Sequence, residues 1–214
     1  MESIVMIGGG GHCKSVIDAA LRSRKFEKIY ITDVNLKPGD TILGCEVVGG
    51  DDKLPELLAG GVKNAFITVG FVKPSGLRSK LFFMAKDLGF SFPNIIDPSA
   101  VVAADAKLGS GIFVGKTAVI NAGASVGDNA IINTGAIVEH DCKIGDFAHV
   151  AVGTKVCGES KVGANSLIGA GATILQCVEV GNDAIIGAGS VVIKNIGASC
   201  TAVGAPARIL RRWN

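Results

Sequence analysis

Aromatic residues are scarce in this chain: nine Phe, one Trp and one Tyr among 214 residues, or 5%. With 30 Gly and an abundance of Val and Ile, that scarcity argues against a helical bundle and for short, tightly turned, β-branched strands. An excess of one charge is also missing. Twenty-one Lys and Arg meet nineteen Asp and Glu, a net charge of +2, so no surface basic enough to neutralise a phosphate backbone is expected, and nucleic acid is excluded as a partner. The six cysteines (13, 45, 142, 157, 177 and 200) show no C-x-x-C spacing. Neither a disulfide framework nor a cysteine zinc site is expected, and most should be small buried fillers. The longest uncharged stretch, Val162 to Val178, is broken by Asn165, Ser166, Thr173, Gln176 and several glycines, so it does not read as a membrane span. The N-terminus, MESIVMIGGGGH, lacks the basic start and apolar run of a signal peptide. A cytoplasmic protein without a membrane partner is the expectation.

What the chain does have is a repeat. Read every sixth residue from Ile96, the sequence gives Ile96, Val102, Leu108, Val114, Ile120, Val126, Ile132, Val138, Ile144, Val150, Val156, Val162, Ile168, Ile174, Val180, Ile186 and Val192. Every position is aliphatic although only 58 of 214 residues are Ile, Leu or Val, which rules out coincidence. Four residues after the aliphatic stands Ala, Ser, Thr or Cys in 14 of the 17 hexads, and Gly follows it directly in eight. The aliphatic points inward, the small residue fills a corner, and glycine eases the turn. Three hexads close one triangular coil, and about five to six coils stack on one continuous core. The pattern resembles the hexapeptide-repeat acyltransferases, which implies a left-handed parallel β-helix over residues 95–214.

Residues 1–94 have another rhythm. Apolar runs at Ser3–Ile7, Lys28–Thr32 and Ala65–Val69 alternate with helical stretches at Cys13–Arg22 and Leu77–Leu88, the pattern of a small Rossmann-like α/β domain with a parallel sheet. Gly8, Gly10, Gly11 and His12 lie between the first strand and its helix, where backbone N–H groups and a helix N-terminus can cradle a diphosphate. Asp33 ends the second strand, within reach of a ribose hydroxyl. Gly70, beyond the third run, joins this substrate-binding set. The third glycine of the dinucleotide fingerprint is absent, and fewer than 100 residues cannot build both halves of a dinucleotide fold. A nicotinamide cofactor is therefore not expected. Two readings stay open: a nucleotide-sugar site, or glycines that only make a tight turn.

There are three histidines. His12 is in the Gly loop, whereas His140 and His149 fall outside the inward positions of their hexads. Glu139-His140-Asp141 sets an imidazole between two carboxylates, which suits a general base for an amine or hydroxyl. No metal site is expected: two solenoid histidines cannot supply the three zinc ligands of a γ-type carbonic anhydrase. A nucleotidyltransferase would need a larger N-terminal domain and a basic Gly loop. A non-enzymatic scaffold remains the bland alternative.

Gly-x-x-Gly-His near the start, the His-acid pair, a His nine residues later and the closing Val203-Gly204-Ala205-Pro206-Ala207-Arg208 together resemble the bacterial sugar acetyltransferases. These include UDP-4-amino-sugar N-acetyltransferases and sialic acid O-acetyltransferases. The resemblance implies a homotrimer that transfers acetyl from acetyl-CoA to an amino or hydroxyl group of a sugar, UDP-linked or free. It implies His140 as base and Asp141 as its orienting acid. It further implies an acetyl-CoA site at His149, Gly158, Ala170 and Ala188, with the Gly158 N–H near the thioester carbonyl, and Asn133 touching the sugar. Asp141 replaces the Glu frequent in the amino-sugar enzymes, and Val34 stands where they can carry a second acid. Arg208, Arg211 and Arg212 are read either as coenzyme A phosphate ligands or as a solvated tail.

Overall fold

The computed structural model describes residues 2–71 and 76–213. They form two compact units, one ending at Pro98 and the other starting at Ser99, with Phe71 belonging to the second.

The first unit contains β1 (Glu2–Ile7), α1 (Gly11–Ser23), β2 (Phe26–Thr32), β3 (Thr41–Ile42), β4 (Cys45–Gly49), α2 (Leu54–Ala59), β5 (Asn64–Ile67) and α3 (Leu77–Leu88). The sheet order is β3-β4-β2-β1-β5. All its pairs are parallel except β3–β4. Central β1 runs Ile4-Val5-Met6-Ile7, each at most 1% exposed, as expected of a strand covered on both faces. α1 buries Cys13, Val16, Ile17 and Ala20, one helical stripe. The β3–β4 hairpin was not anticipated from the sequence. It closes through Leu43 and Gly44, both at positive φ (49° and 80°), as in a two-residue type I′ turn; leucine is not a residue that announces such a turn. Chain order and sheet order part company at the β1/β5 boundary, and ligands of open α/β sheets bind at such a switch point.

In the second unit each hexad contributes a two-residue strand, and strands pair in parallel 18 residues apart, as in Val119↔Ile137, Lys143↔Lys161 and His149↔Leu167. Three hexads therefore make one coil, and the coils stack as a three-sided parallel β-helix. The repeat aliphatics from Val114 onward are 3% exposed or less, whereas Val102 and Leu108 in the opening coil are half-buried. The small corner residues Ala118, Ala124, Ala130, Ala136, Cys142 and Ala148 are fully buried. Where the corner residue is a hydroxyl it donates to the next coil: Thr154 to the Gly169 carbonyl (3.0 Å), Ser160 to Leu175 (2.7 Å), Ser166 to Gly181 (2.8 Å). Each of these three hydroxyls is thus satisfied.

The three faces differ outward. One presents Lys107, Lys143, Lys161 and Glu179, all exposed. The next presents Val101, Val119, Ile137, Lys155, Thr173 and Val191, and the third His149, Leu167 and Ile185. An antiparallel hairpin, Cys200–Gly204 with Ala207–Arg212, pairs with Ile185–Ile186 and closes the stack. Its turn is the Gly204-Ala205-Pro206-Ala207 motif, and Arg211 stacks on Trp213 at 5.4 Å.

Candidate active site

In the α/β unit, a cleft of about 300 Å³ opens at the C-terminal ends of the strands, lined among others by Gly8, Gly10, Asp33, Asp51, Gly70 and Leu81. Gly8 has φ +109°, and a Cβ there would lie 3.0 Å from the Val69 nitrogen. The turn out of β1 requires glycine. Gly10 differs: its φ of −73° suits any residue, and a Cβ on Gly10 or Gly11 would meet nothing within 4 Å. No protein atom explains the missing side chain, and Gly10 faces the cleft. α1 starts here with no acid in its first turn, leaving its positive end for an anion. Gly11 and His12 start this helix but are not among the cleft-lining residues.

Asp33 accepts from the N–H of Gly9 (2.6 Å) and of Asn35 (2.7 Å). It fastens the Gly loop as well as facing the cleft, a structural duty the sequence did not reveal. Asp51, Thr32 and Asn35 also line the cleft and were missed in the sequence. The fully buried Thr32 hydroxyl donates to Asp51 Oδ1 at 2.8 Å. A Gly-Gly-Asp after a strand would have been the signal, but β4 itself was not recognised. α3, whose Leu77 and Leu81 line the cleft, also carries the buried Arg78. Its guanidinium donates to the carbonyls of Ile67 (3.3 Å) and Val69 (2.5 Å), and burial pulls its pKa down to about 9. It is still cationic at neutral pH and ties the end of β5 to α3.

In the β-helix, inward Val138 and Cys142 force residues 139–141 onto an outer corner. Asp141 takes the left-handed conformation (φ 59°), which Asp tolerates. Its N–H donates to the Ala122 carbonyl below, and the Glu159 N–H donates to the His140 carbonyl from above, both at 2.9 Å. The corner is clamped between coils. His140 Nδ1–H donates to Asp141 Oδ2 at 2.9 Å, so the shorter acid reaches its histidine. An acceptor on Nδ1 fixes the tautomer and leaves the Nε2 lone pair as base. The Asp141 hydrogen bond raises the His140 pKa above the ordinary 6.5; desolvation opposes it, and the charges of Asp141, Glu139 and Glu159 add to it. The ring lies against Gly158, one coil on: a Cβ there would sit 2.5 Å from Nε2.

His149 lies elsewhere, facing outward on a different side of the prism. Its Nδ1 meets the Phe71 carbonyl at 3.0 Å and its Nε2 the Asn133 amide nitrogen at 3.2 Å, while Asn133 Oδ1 accepts from the Thr134 N–H at 2.8 Å. A carbonyl on Nδ1 demands a proton there, so Nε2 accepts from Asn133. Asn133, Ala170 and Ala188 occupy one corner of the prism; His140, Asp141 and Gly158 occupy the next, across the Val119/Ile137/Val191 face. The structure therefore unites His140 with Asp141 and Gly158, and Asn133 with His149, but does not join the two groups within one chain. Among the described residues, the N–H groups of Gly158, Ala170 and Ala188 donate to no acceptor. Nor do these residues contain a cluster of His, Cys, Asp or Glu fit to hold a metal, and no helix among them is long and apolar enough to cross a membrane.

The family model for the PglD N-terminal domain matches residues 3–81, and that for the bacterial transferase hexapeptide (six repeats) matches 159–194. A mutant of perosamine N-acetyltransferase from Caulobacter crescentus, solved with CoA and GDP-perosamine, is 39% identical over 99% of this chain and 98% of its own, with a TM-score of 0.93. The chain belongs to the hexapeptide-repeat sugar acetyltransferases. The acetyltransferase domain of PglB from Neisseria gonorrhoeae FA1090 is likewise similar to this acetyltransferase, at 32% identity over 98% of this chain and 100% of its own (TM-score 0.92). That domain has also been solved with acetyl coenzyme A. WeeI from Acinetobacter baumannii AYE shares 25% identity over 98% and 100% of the two chains (TM-score 0.80). Among curated proteins none matches. Membership makes the stacked hexads a left-handed parallel β-helix and the chain an acyltransferase.

Proposed function

We propose that this acetyltransferase moves acetyl from acetyl-CoA to the amino group of a nucleotide-linked sugar in glycan biosynthesis, with His140 as general base. The observation that carries the reading is the His140–Asp141 hydrogen bond on an exposed corner, with Nε2 facing outward over Gly158. His140 Nε2 takes a proton from the amine as the nitrogen bonds to the thioester carbon. The resulting oxyanion lies against the Gly158 N–H. As the C–S bond breaks, the coenzyme A thiolate receives the proton held by His140. An amino acceptor is supported by the similarity to perosamine N-acetyltransferase. A nucleotide handle is supported by the open cleft that Gly8, Gly10, Asp33 and Gly70 line and by the bare N-terminus of α1, which Gly11 and His12 begin. A handle of this kind sets the present reading apart from O-acetylation of a free sugar.

The site is completed by a neighbouring copy in a homotrimer. Outward Val119, Ile137, Leu167, Ile185 and Val191 and the two separated corners support this: His140, Asp141 and Gly158 come from one chain, and Asn133, His149, Ala170 and Ala188 from the next, the last two meeting the pantetheine arm. We place the reaction in the cytoplasm, where acetyl-CoA and nucleotide sugars are made. The test is free-thiol release from acetyl-CoA with nucleotide-linked amino sugars and with free sugars including sialic acid. His140→Ala should lower kcat by about two to four orders of magnitude with acetyl-CoA affinity kept. A variant retaining a third of the activity removes His140 as base; efficient acetylation of a free sugar removes the nucleotide handle.

A further inference from the structure

The cleft of the α/β unit has a direction. Gly8 directly follows β1, Asp33 directly follows β2, and Asp51 lies two residues past β4, so the three stand beyond the ends of successive strands in the order β1-β2-β4. Each step across a sheet is about 4.8 Å, so the Asp51 backbone stands roughly 10 Å from the Gly loop, with its carboxylate reaching back to Thr32 on β2. The anion-favouring helix N-terminus is at one end. Two carboxylates, Asp33 and Asp51, occupy the rest and would repel a phosphate. They accept hydrogen bonds and donate none. The walls between are apolar and open: Val34 is 77% and Leu77 45% exposed, and both line the cleft. An occupant must therefore bring anionic charge at the α1 end, then hydroxyls near Asp33, then a flat apolar body with hydrogen-bond donors on its edge at Asp51.

We infer that Asp51 reads the base of the bound nucleotide and selects guanine; the inference rests on the nucleotide-sugar reading above. Thr32, fully buried, donates to Asp51 Oδ1 at 2.8 Å. This hydrogen bond orients the carboxylate while leaving a lone pair on Oδ1 and both on Oδ2. Guanine carries two adjacent donors on its Watson–Crick edge, N1–H and the 2-amino group, spaced to meet the two oxygens of one carboxylate. Uracil carries a single N–H between two carbonyls, so a carboxylate gaining that bond sets its second oxygen against a carbonyl. Adenine and cytosine each pair one amino donor with a ring acceptor and meet the same repulsion. Only guanine matches both oxygens, and a matched bidentate contact is worth about ten-fold or more in affinity over a mismatched base.

The test is calorimetric titration of the full chain with GDP, UDP, ADP, CDP and inosine diphosphate, which is GDP without the 2-amino group. The expected result is GDP tightest, by about ten-fold or more over UDP, with inosine diphosphate weakened several-fold from GDP. Asp51→Asn, which turns one acceptor into a donor, should bring the GDP-to-UDP affinity ratio close to one while its unliganded melting temperature shows that it is folded. UDP binding as tightly as GDP, or inosine diphosphate equalling GDP, overturns the inference and leaves the nucleotide reading standing. Should no nucleoside diphosphate bind, the nucleotide reading falls and the inference with it. The wild-type comparison decides even if the variant does not fold.

Discussion

Gly158→Ala places one methyl group under the proposed base. The new Cβ would lie 2.5 Å from His140 Nε2 and 2.6 Å from Cε1, whereas non-bonded heavy atoms rest at about 3.5 Å. The ring must lift by about 1 Å. The three nearest obstructing atoms all belong to the His140 side chain, which is 51% exposed and able to swing, and Gly158 is not at positive φ. Gly158 is itself buried, yet the atoms that must give way are at the end of a side chain with room to move, so stability should change little. Catalysis should not. A reacting group misplaced by 1 Å costs about a hundred-fold, and lifting the ring also lengthens its 2.9 Å bond to Asp141, the main cause of its raised pKa. The expected outcome is kcat/KM down by about a hundred-fold, the acidic limb of the pH profile moved toward 6.5, and both melting temperature and acetyl-CoA affinity close to wild type. Steady-state kinetics across pH, with calorimetry for coenzyme A, reads all of these. Activity within about three-fold of wild type and an unmoved limb would refute the placement of the ring on Gly158 in the working enzyme.

The base works only when neutral, so kcat/KM should rise with pH through the His140 pKa, and since Asp141 lifts that pKa, the limb should lie above 6.5; Asp141→Asn should move it down and lower the plateau. Gly10→Ala should keep the melting temperature, because its Cβ meets no protein atom, yet weaken nucleotide binding, whereas Gly8→Ala should destabilise the fold through its φ of +109° and the Val69 backbone. Equal effects of the two on melting temperature would show that Gly10 is structural. His140→Ala and Ala188→Trp trimers should each be inactive, and co-refolding them one to one should restore about a quarter of the sites, since half the chains supply each corner. No recovery would mean that both corners serve the same site from one chain.

The solenoid was legible because its information is a single residue class at a fixed phase, and Val114 to Val192 obey it without a break. The contact under the base was also within reach of arithmetic. Strands pair 18 residues apart, so residue 158 had to lie beside residue 140, and Glu159 beside Asp141. The resemblance points to Gly158 for its N–H; the room its missing side chain gives the imidazole follows from the stacking of the coils. Other features lay beyond the pattern. The His149–Phe71 contact joins residues 78 apart in sequence, one of them outside the repeat. The β3–β4 hairpin turns on a leucine in the left-handed region, and with it went Asp51, the residue that gives the cleft its far end.

A stack of identical coils makes rows, and rows alone do not make a pocket. Each corner of the prism repeats every 18 residues, so a side chain such as His140 finds above and below it only other corner residues, here the Gly123 and Gly158 turns. Glycine at those two levels is what lets Asp141 and His140 lie flat along the edge; a Cβ at either would strike the acid or the imidazole. Catalytic geometry along the edge is thus set by what the neighbouring coils leave out. What faces the edge from outside cannot come from the same straight solenoid, because the next corner is turned away behind the Val119/Ile137/Val191 face. Outward Val119, Ile137 and Val191 on that face, which also carries Lys155 and Thr173, and the N–H groups of Ala170 and Ala188 on the corner beyond it, which among the described residues donate to no acceptor, are features a single chain leaves unused. In the proposed trimer a second copy packed against that face would use both at once, burying those aliphatics and presenting its Ala170 and Ala188 N–H groups to a thioester held over Gly158.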